Sequence, residues 1–339
     1  MEFYKLFKRV VGIRSARMKL AMVAAARAVG MRYVGVFIDP VMACNLRCRM
    51  CYFSDDAKRP KPCAPMTREY IDSLRKPLLR KALKMQIGCS TEPTLYQDVP
   101  ALIRAAKEEG VPYVEMTTNG QLITLEKLRE WTAAGLDGIT LSLHGTTQKT
   151  YEFLMQGARF DRLRELVEVF REIRKEKPEF KVRINYTLNN LNKNELAGLW
   201  DLFDGVRIDV LQVRPVQKLG DTAYNDFEID DHADLMSRII NPMREECERR
   251  GVTSLMPGED NIEKVNKKTS ALLKTIEDLT YCFVTPETCY RPDFEPAKEG
   301  IRKYQRRSGM ARKLRSTLLR PGANAETADA NTTKKLNYQ

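Results

Sequence analysis

The sequence lacks any apolar run of about 18 residues, so no transmembrane helix is predicted. The apolar stretch 18–26 does not resemble a secretory signal, because seventeen residues precede it and Arg27 soon interrupts it. Histidine is also scarce: His144 and His232 are the only two, and both are remote from the closely spaced cysteines at 44, 48 and 51. The lack of a long apolar run and of a secretory signal argues against a membrane-spanning or secreted protein and favours the cytoplasm.

The body of the chain has no net positive charge, although the formal net charge of the whole is +12. Residues 1–30 carry +6 and residues 300–339 carry +8, so the 269 residues between them carry −2. A near-neutral body argues against nucleic acid as the ligand of a central active site. The basic ends are either solvated surface or binding sites for RNA, anionic lipid or an acidic partner.

The overall composition is that of a globular protein. Apolar residues make up 43% and charged residues 30% of the 339 positions. A chain of this length and composition can bury a full core without disulfides. We therefore predict one large α/β domain with an appendage.

Three cysteines, Cys44, Cys48 and Cys51, are spaced C-x3-C-x2-C just after an apolar, β-branched run at 33–38. Thiolates suit iron–sulfur clusters, and a [4Fe–4S] cluster ordinarily takes four of them. Three thiolates on one loop therefore leave one iron free to bind a cofactor or substrate. Zinc and disulfides are the alternatives, but structural zinc sites use paired knuckles or histidine, and disulfides belong mainly to secreted domains.

This spacing resembles the cluster loop of the radical S-adenosylmethionine (radical SAM) superfamily. The resemblance implies that the three cysteines bind a [4Fe–4S] cluster whose fourth iron chelates the amine and carboxylate of S-adenosylmethionine. Reductive cleavage of that cofactor gives a 5′-deoxyadenosyl radical, which abstracts hydrogen from the substrate. Met50 stands where the family usually has an aromatic residue, at a position whose backbone mainly contacts adenine.

Strands and helices alternate after residue 33, which is the pattern of a parallel sheet. Six strands are predicted, at 33–38, 83–88, 112–118, 138–143, 181–188 and 207–214. The intervening and following helices are predicted at 67–81, 98–109, 124–134, 146–155, 161–176, 194–203 and 231–250. Six units are too few for a closed eight-unit barrel. By resemblance they form the partial TIM-type (β/α)6 barrel of the radical SAM family.

The same pattern divides the chain into four parts. Residues 1–30 are predicted as a basic amphipathic helical segment and residues 31–252 as the barrel. Residues 253–320 form a small helical, cysteine-containing appendage that includes a basic helix at 298–319, and residues 321–339 a disordered tail. The amino-terminal helix either packs under the barrel or docks on a membrane surface or a partner.

Polar motifs follow the second and third strands, at the edge where active sites of such sheets lie. Ser90-Thr91-Glu92-Pro93 stands in place of the family's Gly-Gly-Glu-Pro, whose backbone binds the methionyl amine. Thr117-Thr118-Asn119-Gly120 resembles a turn common in the family, and is also an ordinary Asn-Gly turn. The resemblance predicts these cofactor contacts: Ser90, Thr91, Glu92, Thr118 and Asn119.

Strands four to six place further polar residues on one face by alternation. By resemblance Ser142 contacts the carboxylate or ribose of S-adenosylmethionine, and His144 stands where the family often has Asp. His144 is predicted either as a catalytic substrate ligand or proton carrier or as a cap of the next helix. Arg183 and Asn185 are predicted to contact the cofactor carboxylate and ribose, and Val213 to contact adenine.

The cysteines outside the cluster loop show no complete ligand set. Cys282 and Cys289 are separated by six residues and are candidates for an auxiliary cluster, but two thiolates cannot complete an ordinary four-ligand site. Paired or simply buried thiols are the alternative. Cys89 is predicted as a buried residue near the cofactor pocket.

The sequence thus predicts a cytoplasmic radical SAM enzyme, with a reductant protein of the flavodoxin or ferredoxin type as its partner. Its substrate is a peptide or protein in a maturation pathway or, alternatively, a small molecule in cofactor or metabolite biosynthesis. The hypothesis of another class is a non-catalytic iron–sulfur electron carrier or sensor. Such a protein would have no use for inward polar residues on strands four and five.

Overall fold

The computed structural model describes residues 15–216, 232–258 and 271–319. Its centre is an eight-stranded sheet in which all paired strands are parallel, in the order β7-β6-β5-β4-β3-β2-β1-β8. The strands are β1 Val34–Ile38, β2 Ala82–Ile87, β3 Tyr113–Thr118, β4 Gly138–Leu143, β5 Lys181–Leu188, β6 Val210–Pro215, β7 Thr253–Leu255 and β8 Tyr281–Val284. Because β7 and β8 lie at opposite edges, the sheet is open.

Helices connect the strands and cover one face of the sheet. They are α1 Ala16–Ala28, α2 Arg68–Arg75, α3 Val99–Glu108, α4 Leu125–Ala134, α5 Gln148–Leu154, α6 Phe160–Glu176, α7 Leu199–Leu202, α8 His232–Leu235, α9 Asn241–Arg249, α10 Ala271–Thr280, α11 Ile301–Arg307 and α12 Met310–Leu318. Threonine side chains accept backbone hydrogen bonds at the starts of α2, α4 and α5, as expected for N-cap residues.

Alternation along the strands separates an apolar face from a polar one. Ile139, Leu141 and Leu143 of β4 are all buried in the main hydrophobic core, which lies between the sheet and its helices. Thr140 and Ser142 point to the other side, opposite Arg183 and Asn185 of β5. The helix-covered face therefore stabilises the fold, and the polar face is left for ligands.

The predicted parallel α/β class and the open sheet are confirmed, and the predicted ranges of β4 and β5 agree residue for residue with the structure. The structure adds β7 and β8, which were not predicted because each is too short to show alternation. β8 pairs with β1, placing Tyr281 beside Gly35. The predicted boundary at residue 252 therefore does not mark the edge of the sheet.

Several predicted helices are shorter or interrupted. The helix predicted at 67–81 ends at Arg75, just before Pro77, because proline has no N–H to donate and so removes a helical hydrogen bond. The helix predicted at 298–319 is two helices separated at Gly309, which has φ +78°. Two others depart from α-helical geometry, with a 3-10 segment at Lys193–Gly198 and a π-helical turn at Met236–Ile240 before Pro242.

The amino-terminal helix lies against the carboxyl-terminal segment. α1 packs on α10 and α12, and Ser15 caps its first turn. The rest of the predicted amino-terminal segment, residues 1–14, and the predicted tail at 321–339 lie outside the described residues. No helix in the described ranges is both long and apolar enough to cross a membrane.

Candidate active site at the carboxyl edge of the sheet

The loop after β1 carries Cys44, Cys48 and Cys51 as free, partly buried thiols. The Leu46 amide donates to Cys44 Sγ at 3.4 Å, and the Cys51 amide donates to the Cys48 carbonyl oxygen at 2.9 Å. The loop is therefore a folded turn that keeps the three sulfur atoms near one another.

The chemistry of these donors fits an iron–sulfur cluster. Burial raises the pKa of Cys44 to about 11 and also raises the pKa of Cys48, where the nearby Cys51 and Cys44 thiols act in the same direction. Within the described ranges, no three Cys, His, Asp or Glu side chains converge on the position of a single ion. A [4Fe–4S] cluster binds each thiolate on a separate iron, so three neighbouring but separate thiols suit it.

Backbone hydrogen bonds attach the cluster loop to its surroundings. The Arg47 and Arg49 amides donate to the carbonyl oxygens of Gln156 and Leu154 at 2.8 and 2.9 Å, which ties the loop to the end of α5. Side chains extend these ties to two further loops: Asn119 Nδ2 donates to Asn45 Oδ1 at 2.9 Å, and Asn189 Nδ2 donates to Met50 Sδ at 3.0 Å.

Glu92 joins the loop after β2 to the loop after β3. Its amide donates to the Ala43 carbonyl oxygen at 2.9 Å. Its carboxylate accepts from the Thr94 amide and hydroxyl, from Thr118 Oγ1 at 2.7 Å and from the Asn119 amide at 2.8 Å. Burial raises the pKa of Glu92, and these donors oppose the rise. Glu92 and Thr118, both predicted as cofactor contacts, therefore bind each other.

A second carboxylate, Asp39, organises the motif that begins at Ser90. Asp39 is fully buried and accepts from the Cys89 amide at 2.7 Å, the Ser90 amide at 3.1 Å and the Ser90 hydroxyl at 2.8 Å. Just before this motif, Gly88 has φ +80°, and a Cβ atom there would lie 2.4 Å from the Thr117 carbonyl oxygen. The motif is thus held close to β3.

The inner face of the sheet carries buried charge. Lys84 and Glu115 form an ion pair at 2.5 Å, and burial lowers the pKa of Lys84. On β5 and β6, which pair with each other beyond β4, Arg183 and Arg214 both donate to Gln212 Oε1, the latter at 2.5 Å. Neither guanidinium forms an ion pair with a carboxylate among the described residues.

The side chain of Arg183 also donates through Nε to Asn185 Oδ1 at 3.2 Å. The two residues predicted to contact the cofactor carboxylate and ribose are therefore neighbours on the polar face. Burial and the nearby Arg183 charge lower the pKa of Arg214 to about 10. At this end of the inner face, the Arg183 and Arg214 guanidinium groups therefore donate to the same neutral acceptor, the side-chain oxygen of Gln212.

Several buried polar atoms around this face have no hydrogen-bond partner in the part of the chain that the structure describes. They are Thr91 Oγ1, Thr140 Oγ1, His144 Nδ1 and Arg214 Nε. Such atoms cost free energy unless a ligand or water satisfies them. They lie on the motif after β2 and on strands β4 and β6, so they indicate a polar ligand bound against the inner face. Thr140 and Arg214 therefore join the candidate ligand contacts.

His144 lies just beyond the end of β4. The residue as a whole is partly exposed, but its Nδ1 atom is shielded from solvent, and burial lowers the pKa of His144 to about 4. A neutral imidazole at physiological pH suits a ligand contact better than an acid. Thr147, rather than His144, caps the next helix, so the predicted capping role is wrong.

Val213 lies on the opposite face from the site. It pairs with Tyr186 in the sheet register and is buried in the hydrophobic core, whereas its neighbours Gln212 and Arg214 carry the inner-face hydrogen bonds. Because successive strand residues point to opposite faces, the placement does not support an adenine contact by the Val213 side chain.

Cys282 and Cys289 are buried and hydrogen-bonded to each other near the edge strand β8. The Tyr70 hydroxyl contacts Cys289. In the described part of the chain no third Cys, His, Asp or Glu joins them to form a metal site. The two residues therefore fit the predicted alternative of buried thiols better than they fit the ligands of an auxiliary cluster.

The residues that sequence reasoning missed are buried polar residues with distant partners. Asp39, Asn45, Asn189 and Gln212 each form a side-chain hydrogen bond with a residue 29 to 139 positions away. Asp39 and Asn189 each follow the last residue of a strand, and that position was the available signal. Asn45 lies between two cluster cysteines, and Gln212 lies next to Val213 on β6 but faces the other side of the sheet. Neither position predicts which residue is its hydrogen-bond partner.

Residues 38–202 match the family model described as Radical SAM superfamily. The chain carries a radical SAM domain. Members of this family use a [4Fe–4S] cluster and S-adenosylmethionine, and the free thiols of the loop after β1 fit the cluster. The predicted superfamily is therefore confirmed.

Sequence relatives of this radical SAM chain include probable GTP 3′,8-cyclases of archaea. The protein of Metallosphaera sedula is 29% identical over 182 residues, covering 52% of this chain and 54% of the relative. That of Sulfurisphaera tokodaii is 26% identical over 211 residues, covering 61% of this chain and 63% of the relative. The chain thus spans about half to two thirds of these relatives.

Solved structures similar to this radical SAM chain show the same partial barrel fold. Streptococcus suis SuiB, crystallised with S-adenosylmethionine, has a TM-score of 0.60 at 20% identity, covering 78% of this chain and 61% of SuiB. The protein anSMEcpe with bound AdoMet has a TM-score of 0.52 at 18% identity, covering 66% of this chain and 63% of its own.

Proposed function

We propose that this chain cleaves S-adenosylmethionine reductively and uses the product radical to abstract hydrogen from a substrate at the open edge of the sheet. The observation that carries the proposal is the cluster loop, whose three free thiols lie beside the polar inner face. When bound, the [4Fe–4S] cluster supplies the electron that converts the cofactor to methionine and a 5′-deoxyadenosyl radical. A flavodoxin or ferredoxin provides that electron in this proposal.

The chain's own residues hold and orient these groups. Cys44, Cys48 and Cys51 are the iron ligands, and Asn119 and Asn189 fix the loop through Asn45 and Met50. Cofactor contacts come from polar groups without strong partners, such as Thr91 and Ser142, and from Arg183 and Asn185. Ser90, Glu92, Thr118 and Asn119 position the backbone of the two loops.

The electron-carrier alternative is weaker, because buried polar atoms without partners have no purpose in a protein that only stores electrons.

The free state of all eight cysteines supports a reducing compartment, so we place the protein in the cytoplasm.

The decisive experiment is anaerobic reconstitution with iron and sulfide, followed by incubation with S-adenosylmethionine and dithionite. Wild type is expected to form 5′-deoxyadenosine, Cys48→Ala to form none, and Cys63→Ala to keep the activity because its thiol lies outside the cluster loop. A cluster-loaded wild type that releases no 5′-deoxyadenosine, even with added substrate candidates, would contradict the proposal.

For the substrate, the geometry favours a small molecule that carries an anionic group. Arg214 is a partly buried cation whose solvent-shielded Nε has no partner among the described residues, and it lies beside the second cation Arg183. A phosphate or carboxylate on the substrate would satisfy the Arg214 guanidinium while Arg183 contacts the cofactor, and Arg binds such groups with paired hydrogen bonds. The names of the cyclase relatives, which refer to GTP, support this class of substrate.

A peptide or protein is the second candidate, supported by the structure of SuiB bound to the precursor peptide SuiA. Binding of GTP to wild type and to Arg214→Met separates the two candidates, with Arg207→Met as an exposed control just before β6. The small-molecule proposal expects GTP affinity that falls at least about tenfold only in Arg214→Met. Equal GTP affinities in wild type, Arg214→Met and Arg207→Met, or no GTP binding by any of them, would favour a peptide substrate.

A further inference from the structure

The outward face of α1 is apolar and has no protein partner among the described residues. Met18 is 53% exposed, Met22 38% and Val29 72%, while Ala21 and Ala25 are exposed between them. These positions recur at helical spacing and form one stripe. The opposite face, with Ala16, Leu20 and Val23, is buried.

Exposed apolar side chains are concentrated in this part of the molecule. Within the described ranges, eight large apolar side chains are exposed: Met18, Met22, Val29, Met31, Leu95, Phe153, Leu191 and Leu319. Five of these eight belong to α1, to the turn that follows it, or to the end of α12. Isolated exposed apolar residues are ordinary, but a cluster of them marks a binding surface.

A basic surface adjoins the apolar stripe. α12 packs beside α1, Arg17 donates to the Leu318 carbonyl oxygen, and Arg302 donates to the Ala28 carbonyl oxygen at 3.1 Å. Four cations on α11 and α12 are exposed or half-buried and form no ion pair with any described residue. They are Lys303, Arg306, Arg312 and Arg315.

We propose that α1, α11 and α12 form a docking face for an anionic lipid surface. The methionines and valine would enter the boundary between headgroups and acyl chains, and the unpaired cations would lie against anionic headgroups. Charge complementarity supports a lipid occupant, because residues 15–30 carry +3 and residues 300–319 carry +7, with no acidic residue in either range. RNA would pair with the cations but would leave the apolar stripe in water.

Docking through this face leaves the cluster loop accessible. α1 ends near the amino ends of β1 and β2, where Lys81 Nζ donates to the Gly30 carbonyl oxygen at 2.6 Å. The cluster loop follows the opposite, carboxyl end of β1. The bound protein can therefore exchange substrate and reductant with the aqueous phase.

The experiment is co-sedimentation of the full chain with vesicles of phosphatidylcholine alone or mixed with phosphatidylserine. Wild type is expected to sediment with the mixed vesicles and to be released by salt. Met18→Gln/Met22→Gln and Arg312→Gln/Arg315→Gln should each lower the affinity at least about tenfold. Leu95→Gln and Lys177→Gln alter exposed residues elsewhere and should bind as wild type does.

Cys48→Ala should also bind as wild type does, so this test is independent of the proposed chemistry. Absence of binding to the mixed vesicles, or binding that survives both double substitutions, would overturn the proposal. Binding of single-stranded RNA that is lost in Arg312→Gln/Arg315→Gln, without vesicle binding, would identify a nucleic-acid surface instead. Circular dichroism of each variant confirms that it is folded.

Discussion

Glu92 shows that a motif residue can act through its neighbours rather than on the ligand. Its carboxylate is buried and accepts from three other residues, Thr94, Thr118 and Asn119. A buried carboxylate is tolerated when several donors compensate for its lost hydration. The Ser-Thr-Glu-Pro motif therefore keeps its shape through Glu92 and Asp39, even though it lacks the two glycines of the family pattern.

Replacing Glu92 by Gln should destabilise the protein. The NH2 group of Gln would replace one accepting carboxylate oxygen and would then face a backbone or hydroxyl donor. This mismatch should cost about 1–3 kcal/mol. Glu130→Gln, on the exposed surface of α4, should change stability by less than about 0.5 kcal/mol. Thermal unfolding of the cluster-free proteins measures both, and an equal effect of the two substitutions would contradict this role of Glu92.

His144 should make the protein sensitive to acid. Its pKa is about 4 in the folded protein against 6.5 as the ordinary value, so the unfolded chain binds more protons between these limits. The free energy of unfolding should therefore fall as the pH decreases from about 6.5 towards 4, by at most about 2 kcal/mol at pH 5. The partial exposure of the ring makes this an upper limit.

The test for His144 is thermal unfolding at pH 7 and pH 5. His144→Gln should lose less stability on acidification than wild type does. The same acid sensitivity in wild type and His144→Gln would show that other groups cause it.

At the scale of elements, the site depends on how closely the loops after β2 and β3 approach each other. Gly88 permits this approach, because a Cβ atom there would lie 2.4 Å from the Thr117 carbonyl oxygen and 2.6 Å from Pro93 Cγ. The Glu92 hydrogen bonds to Thr118 and Asn119 require the same separation. Neither loop alone provides the cofactor platform.

Gly88→Ala and Gly309→Ala form a matched pair, since the two glycines have φ +80° and +78°. A Cβ atom at Gly309 would meet no described atom within 4 Å, so its substitution should cost only the backbone strain, about 1 kcal/mol. Gly88→Ala adds a steric clash and should cost more than about 2 kcal/mol. Thermal unfolding compares them, and a smaller loss at Gly88 would show that the loops can separate freely.

At the scale of the whole molecule, the two ends of the described chain close the fold together. β8 covers the edge of β1, and the Asp39 amide donates to the Val284 carbonyl oxygen at 2.9 Å. Arg27 Nε and the Tyr33 hydroxyl both donate to Gln305 Oε1 at 2.9 Å. The segment that sequence patterns assigned to an appendage is therefore part of the main core.

Removal of residues 259–339 should abolish cooperative folding. It exposes the edge of β1 and the buried face of α1, and an uncovered strand edge promotes aggregation. Removal of residues 320–339 alone retains β8 and helices α10 to α12, so it is the control and should keep β1 soluble and protected. Soluble yield and hydrogen exchange of the β1 amides are the measurements, and a soluble, protected β1 in the longer truncation would contradict this expectation.

Local patterns predicted most of the barrel. β4 and β5 were placed residue for residue because each alternates clearly and is bounded by turn residues. The interrupted helices at Pro77, Pro242 and Gly309 were predicted as continuous, since periodicity alone does not register a single breaking residue. β7 and β8 lacked any periodic signal, and their pairing partners lie far away in the chain.

The sequence by itself determined the features that depend on spacing along the chain: the three-cysteine loop, the strand alternation, and the polar face that Ser142, Arg183 and Asn185 share. Only the tertiary structure decided which of these side chains remain available for a ligand, because hydrogen-bond partners such as Asp39 for Ser90 come from other strands. Contacts between distant residues depend on the packing of the sheet, and local periodicity carries no information about them.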